Sequence, residues 1–297
     1  MNKDQLLRFY EQGYRDFTGV NLSGVDLSGV MLIAVDLTGA NLVGANLSRA
    51  FLTKSNLSQA TLNWANLSFA KMSEVNLNQA DLTKANFSGA FMVKSQLEKA
   101  KLSGANLSYT NLRGSNLWGA NISGAQLQNV NLRQASLNQV NFQWANLQAG
   151  RLTGAQLQNV SLMGVNLSQT FLIDADLSGS DLTGINLSQA KLTRANLSNT
   201  NLSSTNLEEA QLRGSNLTNA NLTKASLVNA DLRGASLNQA NLSDANLRDA
   251  NLSNVDLKLA ILYNTILDAT SETKEFLLPQ AKTTNQPNYG TQQIQIA

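Results

Sequence analysis

Apolar residues recur at every fifth position along most of this chain. Each residue whose number ends in 2 or 7, from Phe17 to Leu267, is Leu, Phe, Met or Ile, without an insertion or deletion. Two residues before each of them stands a small residue, usually Ala, Ser or Val, and Asn or Asp usually lies between the two. The other two residues of each repeat are mostly Ser, Thr, Gly, Asn, Gln or Lys. Most of the chain is therefore one series of five-residue repeats.

A period of five matches neither an α-helix nor a continuous β-strand, whose side chains repeat every 3.6 and 2 residues. It fits a three-residue extended piece, with side chains pointing inward, outward and inward, followed by two residues that turn a corner. The polar and glycine residues of the last two positions are typical of turns. The pattern therefore predicts a coil with Leu and Ala inside and polar residues outside.

The outward position departs from Asn, Asp, Gln, Ser or Thr at a few regularly spaced places. Between residues 16 and 256 these are Met31, Phe51, Lys71, Phe91, Lys101, Arg151, Phe171 and Lys191. All except Lys101 are separated by multiples of twenty residues. A turn of twenty residues, with four sides, places them on one face of the coil. The repeat region then forms about 12–13 coils, stacked at the spacing of paired strands, about 4.8 Å.

The motif A-[DN]-L-x-x in uninterrupted tandem, as in GANLVGANLSRA at residues 39–50, resembles the pentapeptide-repeat family. The resemblance covers residues 17–267 and is of the cyanobacterial type. It implies an all-β fold, a right-handed quadrilateral parallel β-helix, and the handedness comes from the resemblance alone. Some members of that family resemble duplex DNA in size and charge and bind type II topoisomerases.

The two ends of a solenoid need caps, because its terminal coils would otherwise expose apolar residues. We expect a capping helix in residues 1–15, with Asn2 or Asp4 as N-cap and an end at Gly13. The β-helix should fill residues 16–268. Residues 269–280 are expected to form a short C-terminal capping helix, and the polar residues 281–297 a disordered tail.

Composition excludes several kinds of chemistry. The chain has no cysteine and no histidine, so it has no Ser-His-Asp triad, no Cys-His dyad and no usual zinc site. We expect no catalytic residue, no metal and no cofactor. Asp174, Asp176 and Asp181 could form the paired carboxylates of a polysaccharide-active β-helix enzyme, but the latter two stand at ordinary Asn/Asp positions of the repeat. No signal peptide or long apolar segment is seen, which predicts a soluble, cytoplasmic protein without membrane insertion.

The face with the irregular outward residues is the candidate functional surface. It should carry an exposed group of apolar and basic side chains, which we call the aromatic stripe: Met31, Ile33, Phe51, Phe69, Lys71, Phe91, Val93 and Tyr109. Large exposed apolar patches are rare in monomers unless they bind something, and aromatic and basic residues are typical of interface cores. The alternative is that the Phe rings only stack on one another and stabilise neighbouring coils.

The sequence therefore favours a rigid, non-enzymatic scaffold or regulator that binds a protein partner, whose identity and pathway the sequence leaves open. No small-molecule substrate is expected, and the oligomeric state is left open. DNA mimicry toward a type II topoisomerase is the alternative, although the formal net charge of +2 departs from an acidic mimic. Direct DNA binding through residues 99–151 is disfavoured, because the basic residues there are sparse and lie in several columns.

Overall fold

The computed structural model describes residues 1–158, 160–268 and 295–296. The chain divides into two compact units, Met1–Asn166 and Leu167–Ala297. Unit 1 begins with helix α1 (Lys3–Glu11), and unit 2 contains strands β1 (Ile266–Leu267) and β2 (Gln295–Ile296). Most of the other described residues of both units form regular coils whose walls are joined by isolated parallel bridges.

Bridges in unit 1 join each outward residue to the residue twenty positions later. They run from Asp16↔Asp36 to Asn146↔Asn166, with four bridges for every twenty residues. Each coil therefore has four walls, and one pentapeptide forms one wall. This confirms the quadrilateral β-helix that the sequence predicts.

A repeat with Asn at its outward position satisfies all of its backbone N–H groups, as residues 41–45 illustrate. Three N–H groups bond to carbonyls of the neighbouring coils at 2.8–2.9 Å. The N–H of Val43 donates to Oδ1 of Asn41 at 3.2 Å, and the N–H of Ala45 donates to the carbonyl of Leu42 at 3.0 Å. Asn or Asp at the outward position thus supplies the acceptor for the N–H two residues later, an Asx turn. Bonds between stacked Asn side chains, such as Asn131 to Asn111 at 3.0 Å, also occur.

The second corner residue of the repeat lies in the left-handed region of backbone space. Gly39 has a φ of 65°, and the non-glycine residues Lys54 and Gln59 have φ of 61° and 58°. A β-turn with a hydrogen bond from the fourth N–H to the first carbonyl and a positive φ at its third residue fits a type II turn. Glycine adopts this conformation without steric cost, which explains its frequency at the corners.

The inward positions form the core of each unit. The Leu side chains are almost completely buried, as are the Ala residues two positions before them. Phe87 and Phe142 are the largest fully buried side chains and replace Leu in unit 1. Each large inward side chain contributes about 1.5–3 kcal/mol to stability, so the coils are held together by apolar burial and the backbone ladder.

Helix α1 lies on the first coils of unit 1. Asn2 is its N-cap and forms a capping box with Gln5. Leu6 is fully buried, and the N-terminal ammonium of Met1 donates to the carbonyl of Asn21 at 3.0 Å. The residues that the structure describes include no helix of the length and apolarity that a membrane crossing requires.

Unit 2 repeats the same construction, with bridges from Phe171↔Lys191 to Asn246↔Ile266. Strand β2 pairs in parallel with β1, and the N–H of Gln295 donates to the carbonyl of Thr265 at 2.9 Å. Residues 295 and 296 therefore differ from the disorder expected of the tail. The C-terminal helix expected at 269–280 and the rest of the tail lie outside the described residues.

Candidate protein-binding surface

The structure places the central residues of the aromatic stripe in one column. Parallel bridges join Met31 to Phe51, Phe51 to Lys71, and Lys71 to Phe91. The column continues through Asn111 and Asn131 to Arg151 within unit 1, and we call this wall with its two bordering corners the stripe wall. Neighbouring members of the column are therefore one coil apart, at about 4.8 Å.

Part of the stripe lines a shallow depression of about 480 Å³. Its lining residues are Gly29, Arg49, Phe51, Phe69 and Lys71. Arg49 and Gly29 were not among the residues predicted from the sequence. Their signal was the twenty-residue spacing that relates Gly29, Arg49 and Phe69 at one corner, because the same spacing identifies the outward residues of the stripe. The depression is therefore lined by two aromatic rings, Phe51 and Phe69, and two cationic side chains, Arg49 and Lys71.

The Phe rings of the stripe do not stack on one another. Among the described residues, the ring pair that approaches closely is Phe9–Tyr14, at 5.5 Å between centroids. Lys71 lies between Phe51 and Phe91, and its Nζ is 5.9 Å from the centroid of the Phe51 ring. Cation–π contact, rather than ring stacking, is thus the contact that Phe51 makes along the column.

Phe69 has a structural role as well as an exposed surface. A Cβ added at Gly89 would lie only 2.6 Å from Cε1 of Phe69, so the ring covers this glycine of the next coil. Trp144 covers Gly164 in the same way, at 2.3 Å from Cε3. The Phe69 side chain is nevertheless 58% exposed, so one face remains open to a ligand.

The stripe also changes the backbone hydrogen bonding, because Phe51, Lys71 and Phe91 replace the Asn or Asp of the Asx turn. Among the described residues, no protein group accepts a hydrogen bond from the N–H of Thr53, Ser73 or Val93. These three N–H groups lie on consecutive coils of one wall. The stripe wall thus leaves three consecutive donors open beside its apolar side chains. Single N–H groups of described residues are open on other walls as well, such as those of Asn63 after Thr61 and Ser103 after Lys101.

At the start of the stripe, helix α1 supplies a hydrogen-bond acceptor for the corresponding N–H group. Met31 also lacks a side-chain acceptor, and the N–H of Ile33 donates instead to the hydroxyl of Tyr10 at 3.2 Å. The same hydroxyl donates to the carbonyl of Ile33 at 3.4 Å. Met31 and Ile33 remain exposed beside this contact.

Tyr109 and Val93 lie at the other end of the stripe. Tyr109 is 68% exposed at the corner before Asn111, one coil beyond Phe91, and it does not line the depression. Val93 is half-buried two residues after Phe91. The predicted residues therefore share one wall, but only Phe51, Phe69 and Lys71 meet in the depression.

The stripe wall carries an excess of basic residues. Seven cations lie on it or at its corners: Arg49, Lys54, Lys71, Lys94, Arg113, Arg133 and Arg151. Within residues 29–154, all of which are described, Glu74 is the acidic residue of this wall. The ion pairs formed by described residues are Asp174–Arg194 and Asp231–Arg233, and both belong to unit 2. Three of the basic residues between 99 and 151, Arg113, Arg133 and Arg151, thus share one wall instead of being scattered over several columns.

The carboxylates considered for catalysis take part in structural bonds of unit 2. Asp174 accepts two hydrogen bonds from Arg194, both at 2.7 Å, and the bonded guanidinium lowers the pKa of this carboxyl. Asp176 accepts from Asn196, and Asp181 from the hydroxyl of Thr183 at 2.6 Å. A general acid needs a raised pKa, and Asp174 has the opposite shift. The described residues contain no cluster of three or more acidic side chains that could hold a metal ion.

Comparison with protein families gives one match. The family model "Pentapeptide repeats (8 copies)" matches most of the chain, in the segments 16–49, 32–68, 60–98, 100–139, 141–179, 172–208, 180–219, 201–239 and 240–270. No curated protein matches the chain.

Several solved structures are similar to this chain. HetL, a pentapeptide repeat protein involved in heterocyst differentiation regulation in the cyanobacterium Nostoc sp. strain PCC 7120, is 32% identical. The match covers 88% of this chain and 97% of HetL, with a TM-score of 0.28. QnrB1, a plasmid-mediated fluoroquinolone resistance protein, is 15% identical over 63% of this chain and 90% of its own, with a TM-score of 0.34. Rfr23 from the cyanobacterium Cyanothece 51142 is 39% identical over 37% of this chain and 58% of its own, with a TM-score of 0.15.

Proposed function

Because this chain belongs to the pentapeptide-repeat family, we propose that it is a non-enzymatic scaffold or regulator that binds a partner protein through the aromatic stripe. The coils of unit 1 are a rigid support, since every wall is held by the backbone ladder and by buried Leu side chains. The stripe supplies the variable side chains on that support.

One observation carries the proposal: apolar side chains replace Asn or Asp on three of four successive coils of the same wall, with Lys71 on the remaining coil, and remain exposed. Met31 is 56% exposed, Phe91 45% and Phe51 36%. Contiguous apolar surface of this kind marks interaction sites more often than chance. The absence of ring stacking among the described stripe residues weakens the alternative that the rings serve only to bind neighbouring coils together.

Two observations support a non-enzymatic role. The chain lacks histidine and cysteine, which most nucleophilic and general-base sites use near neutral pH. The depression at Phe51 is shallow and open and is lined by cations and rings, whereas substrate sites are enclosed and contain converging polar groups.

DNA mimicry is less well supported than a protein partner. A mimic needs a strongly acidic surface, whereas the stripe wall carries Glu74 against seven basic residues. The formal net charge of the whole chain is +2. The charge of the chain and of the stripe wall therefore disfavours topoisomerase binding by DNA mimicry.

The test is affinity capture from the native organism with the full chain as bait, followed by mass spectrometry. The variant Phe51→Asn/Phe91→Asn removes both rings and restores the Asn that the repeat uses elsewhere, so it should fold. We expect it to lose the proteins that the wild type captures, while its thermal unfolding stays unchanged or moves upward.

The matched control is Trp64→Gln, which removes an exposed aromatic residue from a corner of another wall. Gln occupies the same left-handed position at Gln59, with a φ of 58°. The control should capture the same proteins as the wild type. Equal capture by the Phe51→Asn/Phe91→Asn variant, or a large drop in its unfolding temperature, would assign the stripe to structure.

A further inference from the structure

We infer that the segment of the partner bound by the stripe wall is acidic, with carboxylates that accept hydrogen bonds from the wall. This inference rests on the proposed function and adds the chemistry of the partner. It is carried by two features of unit 1, the open N–H groups and the excess of basic side chains.

The first feature is the direction of the open donors. In ordinary repeats the N–H two residues after the outward Asn bonds to that Asn side chain, as Val43 does with Asn41. These N–H groups therefore face the outer surface of the wall. At Ile33 a tyrosine hydroxyl reaches the same N–H from outside. The N–H groups of Thr53, Ser73 and Val93, without a protein acceptor among the described residues, point to where a ligand would lie.

The second feature is the charge around those donors. Lys71 lies in the same column, and Lys54 and Lys94 occupy the corner that follows it, with Glu74 between them as the one acidic residue of the wall within residues 29–154. Arg49 lines the depression with Phe51. N–H donors next to cations form charge-assisted hydrogen bonds with carboxylates, which are stronger than neutral ones. Opposite charge on the partner would also steer its approach.

A protein segment fits the wall better than a nucleic acid does. Single-stranded nucleic acids bind basic surfaces by stacking bases on free aromatic faces. Here the ammonium of Lys71 lies 5.9 Å from the centroid of the Phe51 ring, and the Phe69 ring lies against Gly89, so each ring offers a base only its other face. The aliphatic side chains of Met31, Ile33 and Val93 suit apolar residues of a peptide instead.

The size of the wall sets the length of the probe. From Met31 to Arg151 the column spans about 29 Å at about 4.8 Å per coil. An extended peptide rises about 3.3 Å per residue, so about nine residues would cover it. A random twelve-residue peptide library displayed on phage is therefore a suitable probe, selected on the immobilised full chain.

The selection should enrich peptides that contain several Asp or Glu residues and at least one large apolar residue. The best peptide, labelled with fluorescein, is then titrated in a fluorescence anisotropy assay. We expect its affinity to fall about tenfold or more between 50 and 500 mM NaCl, because exposed charges are screened. The variant Lys54→Gln/Lys71→Gln/Lys94→Gln should bind it about tenfold more weakly.

The chain offers a matched control on other walls of unit 1. Lys84, Lys99 and Lys101 also occupy two corners and one outward position, so Lys84→Gln/Lys99→Gln/Lys101→Gln removes the same charge from the same kinds of site. This variant should bind the peptide within about twofold of the wild type. An equal loss in both variants would mean a general charge effect and would overturn the inference.

Three other outcomes are distinguishable. In the first, the selection yields uncharged apolar peptides whose binding is lost in Phe51→Asn/Phe91→Asn but is unchanged in the stripe-wall lysine variant. That result would support the proposed function and contradict the inference that the partner segment is acidic. If neither variant changes the binding of the selected peptides, both the proposed function and the acidic partner segment are contradicted. A fluorescein-labelled dT20 strand that binds more tightly than the best peptide, and is lost with the stripe-wall lysines, would assign the wall to nucleic acid.

Discussion

The contact between Phe69 and Gly89 predicts that two glycines in the same backbone conformation will differ in their tolerance of alanine. Gly89 has a φ of 67° and Gly39 a φ of 65°. An added Cβ at Gly39 would meet nothing within 4 Å, whereas at Gly89 it would lie 2.6 Å from Cε1 and 2.7 Å from Cδ1 of Phe69. Both substitutions incur the left-handed backbone cost, but only Gly89→Ala collides with a side chain.

The magnitudes follow from these two terms. The left-handed conformation costs an alanine about 1–2 kcal/mol. The collision adds about 1–3 kcal/mol if the ring stays in place, and less if the exposed ring swings outward. We therefore expect Gly39→Ala to lower stability by about 1–2 kcal/mol and Gly89→Ala, with the ring in place, by about 2–5 kcal/mol.

The assay is thermal unfolding followed by circular dichroism, combined with a double-mutant cycle. For a unit of this size, 1 kcal/mol shifts the unfolding midpoint by about 2–4 °C. In the Phe69→Ala background the collision is absent, so Gly89→Ala should cost no more than Gly39→Ala. Equal shifts for the two single glycine variants, or a difference that persists without Phe69, would refute the packing of this ring on Gly89.

Three further predictions concern other parts of the chain. Asp81 accepts hydrogen bonds from the hydroxyl and N–H of Thr83 and from the side chain of Asn63. Burial alone would raise the pKa of Asp81, but these bonds outweigh burial and hold the pKa below the ordinary 3.8. The contribution of this half-buried surface carboxylate, at most about 1 kcal/mol, is therefore present above about pH 4 and lost as the pH falls through the folded pKa. Urea unfolding should accordingly be less pH-dependent in Asp81→Asn. Ser215 Oγ is buried without a hydrogen-bond partner among the described residues, whereas Ser115 Oγ donates to the carbonyl of Met92 at 2.8 Å; Ser215→Ala should raise stability by about 1 kcal/mol and Ser115→Ala lower it by about 1–2 kcal/mol in the same urea assay. In a DNA gyrase supercoiling assay, micromolar protein should have no effect, and inhibition would revive the mimicry alternative.

The fold could be predicted from the sequence because its two periods are both visible there. The five-residue spacing of Leu gives one wall, and the twenty-residue spacing of Met31, Phe51 and Phe91 gives the number of walls. The N-terminal helix followed from Asn2 and the apolar residues after it. The pairing of Gln295 with β1 could not be predicted, because a two-residue strand in a polar segment has no periodicity of its own.

The glycines at the corners were only partly understood from the sequence. Their place in turns was expected, but seven of them also lie beneath or beside a large corner side chain of the coil before. The pairs are Phe69/Gly89, Lys84/Gly104, Lys94/Gly114, Lys99/Gly119, Gln134/Gly154, Trp144/Gly164 and Arg194/Gly214. A glycine twenty residues after a bulky corner residue is therefore a packing signal, which becomes readable once the direction of the side chains is known.

The candidate surface, too, was only partly predictable from the sequence. The sequence predicted which wall carries the stripe, but the loss of the Asx turn became apparent only when the role of Asn41 and its equivalents was known. Arg49 was missed because a single basic corner residue looks like any other solvated charge. Its place beside Phe51 and Phe69 depends on the geometry of the corner.

The missing Asx turns bear on whether the stripe exists for stability or for binding. Each Asn replaced by Phe51, Lys71 or Phe91 removes a hydrogen bond that contributes about 0.5–1.5 kcal/mol. At Met31 the protein compensates, because Tyr10 of helix α1 bonds to the exposed N–H of Ile33. The next three coils carry no such replacement among the described residues. Departures from a local rule without compensation are expected where another requirement prevails, and on this wall that requirement is best met by a ligand that fills the open donors.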